Sequence, residues 1–266
     1  MRILWSNLIA IYRRELQSYF ASPFFYAIAA VFWLLSGFFF VVILLGPEGV
    51  IAQVALRDQA GITEPPIDVP YQFQGIFLNL IGSLSLFLLP MLSMGLYTEE
   101  RKRGTLELLA TSPVTNWVVA LGKLLGVVTF FLTITLPLVV FELVAFSASN
   151  PPASYQVLLL GHLGLILMAA SVLSLGMFIS SLTDSTILAA VLTFALMLLL
   201  WVTDLIATSL AGPIADTLGN FSLIQHYNDL IQGQFNTNSI VLFCSYIFLG
   251  IFLTAQSIEA FRYQRS

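Results

Sequence analysis

Residues Tyr97 to Lys123 read YTEERKRGTLELLATSPVTNWVVALGK. Glu99, Glu100, Arg101, Lys102, Arg103 and Glu107 crowd into the first half of this stretch, which lies between two long apolar runs. Gly104-Thr105 followed by Leu106, Leu108 and Leu109 predicts a short helix with one apolar side. Thr111-Ser112-Pro113 then predicts a restart. Ser112 would be the N-cap and Pro113 the first helical residue, where a missing N–H costs nothing. A charged shoulder between two membrane-sized segments decides the fold class: an all-α integral membrane protein.

Composition outside the shoulder agrees. Of 266 residues 58% are hydrophobic and only 9% charged, with a mean hydropathy of +0.93. A soluble domain carries about 25% charged residues, and one of this size could not hide so much apolar surface. The chain therefore reads as one membrane domain with no appended soluble one. Cys244 is the single cysteine, which excludes an internal disulfide and any cysteine cluster. It sits in an apolar run and is expected in the packed interior.

Residues 1–22 predict an interfacial elbow helix. Trp5, Leu8, Ile9, Tyr12, Leu16, Tyr19 and Phe20 share one face, and Asn7, Arg14, Gln17 and Ser18 the other. Ser22-Pro23 turns the chain into the bilayer. The first apolar run is too long for a signal peptide, so no cleavable leader is expected. Membrane spans are expected at 24–45, 73–96, 117–146, 155–179, 186–206 and 240–256. A polar loop follows the first span, with a short helix near Val50–Gln59. The segment 207–239 is polar and broken.

Six spans put both termini on one side. Arg2, Arg13, Arg14, Arg101, Lys102, Arg103, Lys123, Arg262 and Arg265 fall there, and Arg57 on the other. The positive-inside rule makes the shoulder and both termini cytoplasmic. The opposite loops are net acidic, with Glu48, Asp58, Glu64, Asp68, Asp216 and Asp229.

No catalytic constellation emerges. Leu121-Gly122-Lys123 resembles the end of a phosphate-binding loop, but that loop needs Gly and Ser or Thr where Trp117 and Leu124 stand. Glu99-Glu100 would need histidines at matching depth to hold a metal. His162 and His226 belong to the other side of the membrane. Glu142, Asp204 and His162 are ionisable groups in or near spans. Such groups are candidates for function by default, although near span ends they can reach water. Glu142, Asp204, His226 and Asp229 form the candidate translocation or exit region.

The shoulder and the run Leu175–Ile206, LGMFISSLTDSTILAAVLTFALMLLLWVTDLI, closely resemble permease subunits of the ABC-2 transporter family. Glu99, Glu100, Arg101, Arg103, Gly104, Thr105, Glu107, Leu109, Ser112, Pro113 and Val114 carry the shoulder pattern. Within the family, SSLTD at Ser180–Asp184 and HYNDLIQGQFNT at His226–Thr237 are similar to the gliding-motility-associated, GldF-type permeases. The resemblance implies a type V exporter-like fold with an elbow helix, six spans and a coupling helix at 97–113. It implies coupling roles for Glu99 to Leu109, Ser112 and Pro113. It also implies ABC ATPase subunits as partners, a second permease protomer, identical or related, and surrounding lipid, with no nucleic acid. ATP and Mg would bind the partner ATPase, and this chain would bind no cofactor and have no enzyme activity of its own. The expected location is a bacterial cytoplasmic membrane. The alternative is a non-transporting membrane anchor for an ATPase complex.

Overall fold

The computed structural model describes residues 2–62, 68–105, 115–149, 153–209 and 212–263. Every regular element among them is a helix. That follows from the composition, because a backbone in hydrocarbon must satisfy its own polar groups. In chain order the helices are α1 (Arg2–Ala21), α2 (Pro23–Leu45), α3 (Val50–Gln59), α4 (Val69–Ser93), α5 (Gly95–Lys102), α6 (Asn116–Ser147), α7 (Tyr155–Leu182), α8 (Thr186–Ser209), α9 (Pro213–Asn220), α10 (Leu223–Ile231) and α11 (Thr237–Tyr263). The helices α2, α4, α6, α7, α8 and α11 supply six segments long and apolar enough to cross a membrane.

The central element is α7, which packs against α4, α5, α6, α8, α10 and α11. Its small residues let these neighbours come close, the usual means of helix association in lipid. Ser171 and Ser174 donate across the interface to the carbonyls of Phe243 and Tyr246 on α11, at 3.2 and 3.3 Å. Tyr227 on α10 donates to the Leu78 carbonyl on α4 at 2.6 Å, pinning a short helix against two long ones. By contrast α2 and α8 sit at the rim. Leu34 and Ile187 on them are more than two-thirds exposed, as side chains facing lipid would be.

Two helices carry internal prolines. Pro137 lies within α6, and Trp33 of α2 donates its indole N–H at 2.7 Å to the Ile134 carbonyl just before it. Pro137 has no N–H to give the Thr133 carbonyl, so the helical ladder is loosened beside this contact. Pro90 lies within α4, and the helix breaks shortly after it, between Ser93 and Gly95.

The elbow helix α1 packs along α6, but on a face shifted from the expected one. Trp5, Ile9 and Phe20 are exposed, while Tyr19 is buried. The inward stripe is Leu8, Ile11, Glu15 and Tyr19, and Gly122 and Gly126 of α6 provide room for it. A Cβ on Gly122 would sit 2.8 Å from Ile11 Cγ2, and one on Gly126 would sit 2.8 Å from Glu15 Cβ. Cys244 also differs from expectation, since it lies on the exposed side of α11. In a run that is apolar all round, composition does not tell the inner face from the outer one.

Candidate functional site

The charged shoulder begins where α4 gives way to α5. A helix start has four backbone N–H groups without partners, and a helix end has four such carbonyls. Three other helices satisfy the groups at this break. Ser180 of α7 accepts from Tyr97 N at 2.9 Å and Thr98 N at 3.2 Å, and donates to the Met94 carbonyl at 3.0 Å. Tyr19 of α1 donates to the Leu92 carbonyl at 2.7 Å. Lys123 of α6 donates to the Leu96 carbonyl at 2.7 Å. Ser180→Ala would leave two buried N–H groups without an acceptor. We expect it to lower stability by about 1–3 kcal/mol, measurable as a lower melting temperature in detergent.

Lys123 is the node of the site. Its ammonium is 4% exposed and lies 3.3 Å from Glu15 Oε2 and 3.1 Å from Glu100 Oε1. With the Leu96 carbonyl, three oxygens meet the three protons of one ammonium. The same nitrogen stands 4.8 Å from the centre of the Tyr97 ring, within cation–π range. Arg14 adds a peripheral contact to Glu100 Oε1 at 3.7 Å. Burial pushes the Glu15 carboxyl above its ordinary range; Lys123 pulls it back and Glu100 pushes it up again. One lysine thus joins α1, α5 and α6. A cleft of about 230 Å³ opens beside it, lined by Arg14, Glu15, Glu99, Glu100, Arg103 and Lys123.

The remaining shoulder residues divide between inside and outside. Arg101 donates to the Ser181 carbonyl at 2.8 Å, a second tie to α7. Lys102 is exposed, and Arg103 meets Glu99 at 3.4 Å on the surface. Gly104 has φ +69, a left-handed turn that ends the helix and that a side chain would strain. Thr105 N closes the turn on the Glu100 carbonyl at 2.9 Å. Leu106, Glu107, Leu108, Leu109, Ser112 and Pro113 lie outside the described residues.

A second polar group gathers at the far end of the bundle. Asp204 accepts from Ser222, whose hydroxyl also caps α10 by accepting from Gln225 N at 3.0 Å. His226 Nε2 faces the Asn220 carbonyl at 3.2 Å, so that nitrogen carries a hydrogen, and Nδ1 is hydrogen-bonded to the Ser239 hydroxyl at 2.8 Å. Asp229 lies 3.9 Å from the same Nδ1. Asp204, His226 and Asp229 therefore sit around the α9–α10 pair. Glu142 is elsewhere, fully buried between α6 and α7 beside His162. Among the described residues no group of three or more His, Cys, Asp or Glu could hold a metal ion.

Sequence reasoning placed the shoulder charges but missed their inner partners. Glu15 belongs to no motif, Tyr19 counts only as part of the apolar face of the elbow and Ser180 only as part of the SSLTD run, and Lys123 reads as one of the cytoplasmic basic residues. Glu15 carried a signal: it is the one acid in α1, spaced between Ile11 and Tyr19 on a helical face.

The family model described as ABC-2 family transporter protein matches residues 62–255. A search of curated proteins finds no match. The matched span begins before α4 and ends within α11, so it takes in the α4–α5 break, Lys123 and Glu100 of the node and the central α7, but not Glu15. The chain is a multi-pass membrane protein that belongs to the ABC-2 family of transporter permeases.

Proposed function

We propose that the chain is the membrane permease of an ATP-driven exporter in a bacterial cytoplasmic membrane. Its shoulder, residues 97–113, takes mechanical work from a separate ATPase subunit that holds ATP and Mg. The observation that carries this reading is the Lys123 node, which ties the elbow helix α1 and the shoulder helix α5 to the span-bearing α6 at one end of the bundle. A push on the shoulder reaches α1 and α6 through short, buried ionic contacts and reaches α7 through Ser180 and Arg101. Packed elements joined in this way move as units. Basic residues near this end support a cytoplasmic face. Two protomers, identical or related, would enclose the path, with Asp204, His226 and Asp229 near its exit. The SSLTD and HYNDLIQGQFNT runs support kinship with the gliding-motility-associated permeases.

Testing the docking surface requires residues that face solvent. Glu100 is a poor choice, because reversing it breaks the Lys123 node itself. Lys102 and Arg103 are exposed. The double variant Lys102→Glu, Arg103→Glu should fold as the wild type does. It should also reduce co-purification of the ATPase from native membranes by more than about tenfold, since it reverses two charges on the proposed docking surface. Unchanged co-purification would move the docking site off the shoulder.

A further inference from the structure

Glu142 stands near the end of α6 and His162 near the start of α7, far from the Lys123 node. Glu142 is 0% exposed, and neither of its carboxyl oxygens has a hydrogen-bond partner among the described residues. His162 is 5% exposed. Its Nδ1 lies 3.1 Å from the Leu158 carbonyl. A carbonyl only accepts, so Nδ1 carries the hydrogen and Nε2 of the neutral ring is an acceptor. That Nε2 is also unpartnered, and it lies 3.7 Å from Glu142 Oε1.

Among the described residues no donor is within hydrogen-bond reach of either Glu142 oxygen or of His162 Nε2. Gln74 of α4 lies against this part of α7 and gives one N–H of its amide to the Val157 carbonyl at 2.8 Å. Its Oε1 is a further unpartnered acceptor. Tyr227 of α10 lies within electrostatic reach of Glu142, but its hydroxyl donates to the Leu78 carbonyl. His162 and Tyr227 are the titratable groups that face Glu142 from the packed helices. The unpartnered atoms of Glu142, His162 and Gln74 are then all acceptors. A bare carboxylate in such a place is strongly disfavoured in a membrane interior. One added hydrogen on Glu142 removes the charge and supplies the missing donor.

We propose that Glu142 and His162 form a buried proton site in which the Glu142 carboxyl binds one proton and donates it to His162 Nε2. The neutral form is preferred to an ion pair, because in a low dielectric the carboxylate would have no other partner and the imidazolium only the Leu158 carbonyl. Approach by about 1 Å would turn the 3.7 Å separation into a hydrogen bond. The site then latches α6 to α7 at the end opposite the shoulder. A movement that parts these helices must break the bond and leave a lone buried acid, so the proton makes that movement sensitive to acidity. This inference does not depend on the cargo or on the ATPase.

Infrared difference spectroscopy on the full chain in lipid nanodiscs tests the site, comparing wild type with Glu142→Gln at neutral pH in H2O and in D2O. The glutamine keeps the shape and a donor for Nε2. The wild type should show a carboxylic-acid carbonyl band that moves in D2O and is lost in Glu142→Gln. Glu142→Asp, which keeps the acid, should displace the band and serves if the glutamine variant fails to fold. His162→Phe should move it to higher frequency by removing the acceptor. Absence of the band in the wild type would overturn the proposal, because Glu142 would then be ionised. A band unmoved by His162→Phe would overturn it equally, because the acid would not be paired with His162.

Discussion

Lys123→Met will destabilise the protein by about 3–5 kcal/mol, the usual result of removing one partner from a buried ion pair. The methionine fills most of the volume, so the loss is electrostatic. Glu15 and Glu100 would be left as two acids facing each other, with side chains 15% and 13% exposed. The Leu96 carbonyl would also lose its donor. Thermal unfolding in detergent reads the effect directly. The triple variant Glu15→Gln, Glu100→Gln, Lys123→Met removes all three charges, and should recover most of the stability, since a neutral replacement of a buried ionic cluster is often tolerated. If the node transmits force, the triple variant will fold but show weak stimulation of the partner ATPase. A Lys123→Met protein as stable as the wild type would refute the node.

Acidity adds a sign to this prediction. The folded Glu15 carboxyl holds its proton more tightly than the unfolded one does. Its contribution to stability is fully present below the ordinary carboxylate range and is lost as pH rises through the folded value. Relative to Glu15→Gln, the wild type should therefore lose stability as the buffer is taken from acidic towards neutral. The shift should grow in Lys123→Met, where the counter-charge is gone.

The sequence made the membrane segments legible because their signal is long and one-dimensional. A run of some twenty apolar residues needs no partner to be recognised, and short polar breaks such as Gly46-Pro47 or Thr183-Asp184 mark where it stops. Which side of each helix turns inward is a different kind of information. In α1 the stripe through Leu8, Ile11, Glu15 and Tyr19 packs on α6, yet the exposed residues Trp5, Ile9 and Phe20 are the more apolar to the eye. The inward choice is made by Lys123, more than a hundred residues away, which gives Glu15 a partner. Glu142 was legible as an ionisable group in a span, but that neither of its oxygens meets a donor among the described residues depends on where the packed helices place Gln74 and Tyr227. Ser180 shows the same limit. A serine near the end of an apolar helix is unremarkable until the α4–α5 break is placed against it.

Gly250→Ala will disrupt the bundle at the contact between α7 and α11. An alanine Cβ at Gly250 would lie 2.5 Å from the Ser174 carbonyl carbon and 2.6 Å from its Cβ. A flexible side chain could rotate away, but these atoms belong to the backbone of the central helix or are fixed to it. The two helices must then separate, which costs about 1–3 kcal/mol for overpacking. Separation also stretches the Ser171 and Ser174 hydrogen bonds to α11, each worth about 0.5–1.5 kcal/mol. Close packing rather than water exclusion holds helices together in lipid, so the surrounding hydrocarbon offers little to offset the gap. Gly37→Ala on α2 is the control, since a Cβ there meets nothing within 4 Å. It should melt at or slightly above the wild-type temperature, because alanine favours a helix over glycine. Equal melting temperatures for Gly250→Ala, Gly37→Ala and wild type would show that α7 and α11 have slack between them. In that case α11 could slide on the central helix during transport, whereas a large loss in Gly250→Ala alone would make α7 and α11 a single rigid body against which α6 moves.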